Sequence, residues 1–284
     1  MKLGNKILGA IISAGIGLGT AGQSKADIAE GINTGIPGQI QLNAVSSHAD
    51  KFTDSEGNEK KIDNNAEVIT ATLKLKGTKD ALGIKVPYYA NLSVPHVSLI
   101  NNFTGQKVSG LGDISIEAGL WQKYNAGGNW NLHLLETLGV KVPTGEYNQK
   151  SKMNLGTGQY DISTILRGTL TDGDYFIDGK IAGAHRTGQP SDRLDLSATL
   201  AKRVLDTKYG NLILGAEANA SHSQDAKNVN ARVIGRFTLK DGIQINVWAG
   251  QDLYERNSPE RDNVGVTVRI PMDKVWNYVK GVFK

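Results

Sequence analysis

Alternation of apolar and polar residues with a period of two is the feature that most constrains this chain. It recurs after position 36 in twelve runs of about ten to fifteen residues each. In the last run, valine or isoleucine occupies every second position from 264 to 270, and Gly265, Thr267 and Arg269 lie between them. Because successive side chains of a strand point to opposite faces, each run predicts a strand with one apolar and one polar face.

Twelve such runs predict an all-β fold, a closed antiparallel transmembrane β-barrel of about twelve strands. An even number of strands that together present one continuous apolar band to their surroundings is the pattern of barrels in outer membranes. The predicted strands are residues 37–48, 64–77, 82–96, 110–124, 129–143, 158–171, 174–187, 193–205, 209–222, 228–240, 242–254 and 262–271.

The connections between the runs are alternately short and long. Asp172-Gly173 and Asp241-Gly242 are typical of tight hairpin turns, in which glycine supplies the positive φ angle. The intervening connections are longer and more polar, at 49–63, 97–109, 144–157, 188–192, 223–227 and 255–261. Short turns at one end and long loops at the other are typical of the periplasmic and extracellular ends of a barrel.

The two ends of the chain depart from the strand pattern. Residues 1–26 have a lysine-containing start, an apolar stretch and small residues at Ser24 and Ala26, which together predict a cleaved signal peptide and a mature start at Asp27. A membrane-anchoring helix is the alternative, but the stretch is short and rich in glycine. The barrel is then expected over residues 27–272, followed by an amphipathic tail over 273–284 with Val275, Trp276 and Val279 on one helical face.

Composition excludes several classes of site. The chain has no cysteine, which removes thiolate metal ligands and cysteine nucleophiles and suits an oxidising periplasm. Lys2, Lys6 and Lys25 supply three charges of the net +4, so residues 27–284 carry only +1, and basicity gives no argument for nucleic acid. We therefore expect no cofactor, no metal site and no nucleic-acid partner.

Aromatic residues lie near several predicted strand ends and fit girdles at the two membrane interfaces. Tyr124, Trp130, Tyr175 and Phe176 are examples. Glu136 conflicts with this scheme, because it shares the apolar parity of its run, and we expect a bulge at Leu134-Leu135 or a position near an interface.

The inward faces are the candidate site of a channel. Residues of inward parity include acidic and basic side chains that we expect to pair across a narrow lumen, since an unpaired ion in a confined space is costly. Two interpretations stay open: a solvated ladder that keeps the barrel rigid, and a constriction that selects permeants. The candidate selectivity residues are Asp113, Glu117, Arg167, Glu217, Arg232, Arg236 and Arg269.

Three short motifs carry a resemblance to a known family. They are Gly110-Leu111-Gly112-Asp113, Pro143-Thr144-Gly145 after Lys141, and Leu155-Gly156-Thr157-Gly158. With these motifs in this order, the chain resembles the outer-membrane proteins of the MetA-pathway of phenol degradation, or transporter, family. The resemblance implies a monomeric twelve-stranded barrel that passes small, often aromatic or hydrophobic, molecules. Outer-membrane lipid, a small permeant and the barrel-assembly machinery are the partners implied.

Two other classes of function share features with this sequence. Some twelve-stranded barrels are lipid hydrolases with a His-x-Ser pair facing lipid, and His96 and Ser98 have that spacing, although no surrounding motif supports them. A secreted soluble β-sandwich that binds a ligand would also show alternation. It should bury large aromatic residues, whereas the outward face here is mostly aliphatic and the chain has only 5 Phe.

Overall fold

In a computed structural model, residues 38–54, 56–81, 84–148, 154–187, 192–223, 226–256 and 258–275 are described. Most of them lie in β-strands. These are β1 (Gly38–Thr53), β2 (Glu59–Ala81), β3 (Ile84–Asn101), β4 (Gln106–Leu111), β5 (Ile114–Gly127), β6 (Trp130–Val142), β7 (Asp161–Thr171), β8 (Tyr175–Arg186), β9 (Arg193–Asp206), β10 (Gly210–Ser223), β11 (Lys227–Leu239), β12 (Gln244–Arg256) and β13 (Ser258–Pro271).

Hydrogen bonding closes these strands into a ring. From β5 to β13 each strand is antiparallel to the next, and β1 closes the ring by pairing with both β13 and β2. β3 pairs with β2, with β5 through residues 89–93 and with β4 through residues 96–101. Because β4 and β5 occupy one position in the ring, the fold is a closed antiparallel barrel of twelve strand positions, which confirms the predicted fold class.

The barrel wall is polar inside and apolar outside. Leu138, Leu200 and Val233 on the outer face are more than 60% exposed, at 67%, 62% and 65%. The most deeply buried side chains include Gln41, Arg269 and other polar groups on the inner face. A soluble protein buries its apolar side chains, so this reversed distribution is that of a barrel whose outer face meets lipid.

Tight turns join the strands at the end of the barrel where β1 begins and β13 ends. Gly173 and Gly242 have φ angles of 100° and 88°, which confirms the two predicted Asp-Gly turns. The Asp172 carboxylate accepts hydrogen bonds from the amides of Asp174 and Tyr175, which fixes the first of these turns. The bond to the Tyr175 amide is the main reason that the pKa of Asp172 is lowered.

The predicted lengths of several connections at the opposite end were wrong. Much of 49–63, 97–109 and 255–261 is strand, because β1, β2, β3 and β13 extend beyond the apolar band. Polar pairs hold this extension together: Lys51 Nζ lies 3.1 Å from Glu59 Oε1 and 2.5 Å from Glu260 Oε2. Alternation fails as a signal here because both faces of these strand ends are polar. The connection from 143 to 160 is the longest between described strands.

Two expectations about the outer face also need correction. No bulge occurs at Leu134-Leu135, where β6 stays in register with both neighbours, and Glu136 lies exposed between Leu120 and Leu166. Phe176 does not belong to an aromatic girdle. It is buried on the inner face, whereas its neighbour Tyr175 is exposed as predicted.

The described residues that follow β13 are helical. Residues 272–275 form one helical turn directly after β13. Among the described residues, no helix is both long enough and apolar enough to cross a membrane. The predicted signal peptide and nearly all of the predicted tail lie outside the described residues, so both stay predictions.

Candidate functional site

Most of the residues that the alternation predicts to face the lumen do lie on the inner face of the barrel. Six of the seven candidate selectivity residues are buried on the inner side of the wall: Asp113, Arg167, Glu217, Arg232, Arg236 and Arg269. Glu117 is half-buried and accepts a hydrogen bond from Asn91 Nδ2 at 3.2 Å. Inward placement could therefore be predicted from the sequence.

The charges pair along the wall rather than across the lumen, contrary to expectation. Arg167 on β7 binds Asp178 on β8 through two nitrogens, with Nε 2.9 Å and 3.1 Å from the carboxylate oxygens and Nη2 2.9 Å away. Asp161 binds Lys141 on β6 and Arg186 on β8 in the same way. Partners on adjacent strands are only about 5 Å apart, so they meet without having to cross the barrel.

Arg232 is held more loosely than Arg167. Its Nη1 is 3.9 Å from Glu217 Oε1 on the neighbouring strand, and its guanidinium lies 4.2 Å from the ring centre of Trp248. Nε and Nη1 of Arg232 have no hydrogen-bond partner among the described residues. Cation–π stacking on the indole is therefore a main restraint on this side chain.

Amide side chains hold the other two arginines. Arg236 Nε donates to Asn246 Oδ1 at 2.6 Å. Arg269 donates from Nε to Gln41 Oε1 at 3.0 Å and from Nη1 to Gln244 Oε1 at 3.1 Å. Neutral partners leave the positive charge of both guanidinium groups in place on the inner wall, since arginine does not deprotonate.

A second cluster lies where β4 gives way to β5. Asp113 occupies this break and accepts hydrogen bonds from the amide of Gly145 at 3.1 Å and from the amide and hydroxyl of Thr157 at 2.8 Å and 2.7 Å. Thr144 Oγ1 donates to the carbonyl of Gly112 and accepts from the amide of Ile114. The three sequence motifs therefore meet in space, with Asp113 as their common acceptor. We name this cluster the loop anchor.

Glycines make the loop anchor compact. A Cβ on Gly145 would come within 2.7 Å of Gly156 Cα, and a Cβ on Gly110 within 2.8 Å of the Leu155 side chain. Gly158 has a φ angle of 66° and lies under the ring of Tyr147. The 143–160 connection, whose residues 149–153 lie outside the described part, is thus packed against the inner wall at both of its ends. The sequence indicates these glycines by the family resemblance, and it also predicts that Gly156 and Gly158 let the loop 144–157 fold inward as a constriction or gate.

The inner wall surrounds a small polar cavity. Its volume is about 80 Å³, and Lys74, Tyr89, Glu117, Lys141 and Arg167 are among the side chains that line it. These charged and polar side chains narrow this part of the lumen.

The alternative lipid-hydrolase pair is not formed. His96 Nε2 lies 3.0 Å from Ser109 Oγ on β4, not against Ser98. Ser98 Oγ has no hydrogen-bond partner among the described residues, and within the same residues no acid binds the other nitrogen of His96. A hydrolase needs a base held against its nucleophile and oriented by a third group, and this geometry supplies neither for Ser98.

Comparisons with known proteins fit this architecture. The family described as "Putative MetA-pathway of phenol degradation" matches residues 49–268. An outer membrane channel from Pseudomonas putida F1 has a similar structure, with a TM-score of 0.65 and 18% identity over 82% of this chain and 95% of that chain. The translocator domain of the autotransporter NalP from Neisseria meningitidis reaches a TM-score of 0.50 with 11% identity, over 92% of this chain and 97% of that domain. No curated protein sequence matches the chain. At sequence identities this low, the structural similarity indicates a shared fold only.

Proposed function

The chain belongs to the MetA-pathway of phenol degradation family, and on that premise we propose that it is an outer-membrane channel. We propose that it acts as a monomer and lets small hydrophobic or aromatic molecules cross passively. The observation that carries this proposal is the closed ring with an apolar outer face and a charged inner face. Such a ring satisfies its backbone hydrogen bonds in lipid and leaves the lumen as the route for a solute.

The proposed orientation follows from the positions of the first residue of β1 and the last residue of β13. Residue 38 and residue 271 lie at the same end of the barrel as the tight turns, since the barrel has an even number of strand positions. In outer-membrane barrels this end faces the periplasm. Export by the predicted signal peptide, cleavage before Asp27 and insertion by the barrel-assembly machinery complete the proposal.

Passage requires a change in the lumen. Buried side chains of the inner face narrow the lumen around a cavity of about 80 Å³. The loop anchor and the loosely held Arg232 are the two places where a movement would widen the lumen. We propose that the seven inward charges named above set ionic selectivity in the opened channel.

Two measurements test this function. The mature protein should fractionate with the outer membrane, and an unheated sample should migrate differently from a boiled one, because closed barrels resist detergent. In planar bilayers the purified protein should give discrete current steps. Recovery as a freely soluble periplasmic protein would contradict the location, and folded protein without current steps would contradict a channel.

A further inference from the structure

An unbroken row of apolar residues starts beside a tight turn and runs across five strands of the inner wall. Phe176, the second residue of β8, pairs in register with Ala201 on β9, and Ala201 pairs with Gly215 on β10. Gly215 pairs with Ile234 on β11, and Ile234 with Trp248 on β12. Each of these positions has the inward parity of its strand, so the row faces the lumen.

The same row continues over the next strands without a polar member. Trp248 pairs with Gly265 on β13, which pairs with Val45 on β1. Val45 pairs with Val68 on β2, Val68 with Val97 on β3, and Val97 with Gly110 on β4. Where the row reaches Gly110 it meets Leu155 of the loop anchor, which packs in one cluster with the side chains of the row.

The row crosses most of the height of the barrel. Strands in such barrels are tilted by about 40° and spaced about 4.8 Å apart, so nine steps from strand to strand cover about 43 Å and climb about 25 to 30 Å. This matches the apolar band of an outer-membrane barrel, which is about 25 Å tall. Its two ends agree with that estimate, because Phe176 adjoins a tight turn at one end and Leu155 belongs to the long connection at the other.

Mostly polar rows flank this lane on both sides. Two residues further along the strands, one neighbouring row contains Asp178, Thr199, Glu217 and Arg232 in successive register. The row on the other side contains Arg236, Asn246, Thr267 and Asn43. Near the long connection the first of these rows becomes apolar as well, with Ala66, Leu99 and Val108 in register, so the lane is wider at that end.

Trp248 lies flat in the middle of this lane. A Cβ on Gly265 would come within 2.7 Å of the indole Nε1, so glycine is needed there to let the ring rest on the wall. Arg232 covers the indole at 4.2 Å and is otherwise weakly held. A flat solute that displaced the guanidinium would stack on the ring face that Arg232 leaves. Because Arg232 has few other contacts, this displacement costs little free energy.

We propose that this row is the path of an uncharged aromatic or aliphatic solute, which enters beside Leu155, passes Trp248 and leaves beside Phe176. The inference rests on the proposed channel function and adds the route that such a solute takes through the lumen. An apolar lane lets such a solute stay out of water along its way, while the flanking polar rows disfavour its departure from the lane.

The test uses entry of the uncharged dye N-phenyl-1-naphthylamine into cells with an intact lipopolysaccharide outer membrane. Cells that produce the wild-type protein should take up the dye faster than cells with an empty vector. The double variant Val68→Thr, Ile234→Thr, which places two hydroxyls in the lane, should slow this entry at least fivefold. Leu135→Thr is the matched control, because Leu135 is equally buried on the inner face but outside the lane.

The outcomes separate the two proposals. Wild-type entry no faster than the vector would contradict the proposed permeant class, and the lane would fall with it. If dye enters as fast with the lane variant as with the wild type, the lane is overturned and the channel function is unaffected. The same holds if Leu135→Thr slows dye entry as much as the lane variant does. The lane variant should retain the shifted migration of a folded barrel and conduct potassium chloride within twofold of wild type. If the lane variant loses the shifted migration and the potassium chloride conductance together with dye entry, the lane is also overturned as the cause, because collapse of the barrel then explains the slower entry.

Discussion

The buried carboxylate of Asp113 binds both ends of the longest connection between the described strands. It accepts three hydrogen bonds from Gly145 and Thr157, and bonds to a charged acceptor contribute about 1.5 to 3 kcal/mol each. We predict that Asp113→Asn releases the ends of the 143–160 connection and speeds cleavage by trypsin after Lys150 and Lys152, because the amide replaces an acceptor oxygen with a donor. The rate of cleavage should rise at least tenfold, as measured by mass spectrometry of timed digests.

Asp192→Asn is the control for that experiment. Asp192 lies on another connection at the same end of the barrel, is exposed and binds His185 at 2.7 Å. Its replacement should leave cleavage at 150 and 152 unchanged. Equal cleavage rates in Asp113→Asn and the wild type would show that the connection is held by other contacts.

Arg167 and Asp178 form a buried pair, and loss of one member leaves the other unpaired. We predict that Arg167→Gln lowers the free energy of unfolding by about 3 to 5 kcal/mol, the usual cost of an uncompensated buried charge. Urea titration of the folded band on unheated gels measures the change. Arg203→Gln, whose pairs with Asp174 and Asp206 are long and exposed, should cost at most about 1 kcal/mol. Similar losses for both variants would mean that Asp178 finds another partner.

Parity predicted which residues face inward, but it could not predict their partners. Alternation fixes the face of Arg167, Glu217 and Arg232 within each strand, and the structure agrees. Which residues meet depends on the register between strands, and register is set by turns and by register shifts in five of the described strand pairs, which leave little trace in the sequence. For this reason the expected pairing across the lumen was wrong.

Among the elements, the strands of the apolar band were the most predictable. Each predicted run corresponds to one strand position, and the Asp-Gly turns occur where expected. The extensions of β1, β2 and β3 were missed because polar residues on both faces erase the period of two. The break at Gly112-Asp113 was missed as well, since β4 and β5 read as a single alternating run until the carbonyl and amide of Gly112 are seen to bind Thr144 and Pro95.

The 143–160 connection is the element for which the sequence and the structure together suggest a gate. Its ends are packed in the loop anchor, and Leu155 closes one end of the apolar lane. We predict that deletion of residues 149–153 raises single-channel conductance at least twofold if this connection narrows the opening. Deletion of residues 188–191 from the 187–192 connection is the control and should change conductance little. Unchanged conductance after the first deletion would show that the connection stands clear of the lumen.

At the scale of the whole molecule, the apolar lane could not be foreseen from the sequence. Its members are single residues on ten strand segments, and Gly215, Gly265 and Gly110 look like ordinary strand glycines until register aligns them. Phe176 was assigned to the outer face because an aromatic residue near a strand end is typical of a girdle. The lane arises from strand tilt and closure together, which are properties of the barrel and of no single segment.

The permanent charges of the inner wall predict how the whole barrel treats ions. Arg232 and Arg236 lie on neighbouring rows on either side of the apolar lane, and neither loses its charge at any working pH. Arg232 faces Glu217 at 3.9 Å, whereas Arg236 binds the neutral Asn246. Their joint replacement by glutamine removes two positive charges and leaves Glu217 and Asp178 on the wall.

We predict that Arg232→Gln, Arg236→Gln shifts the reversal potential in a potassium chloride gradient towards cation selectivity. The change Lys150→Gln, Lys152→Gln removes the same charge from the long connection and should shift it much less. If both double variants reverse at the wild-type potential, then ions do not pass these arginines, and the inner wall around the lane is not the conducting surface.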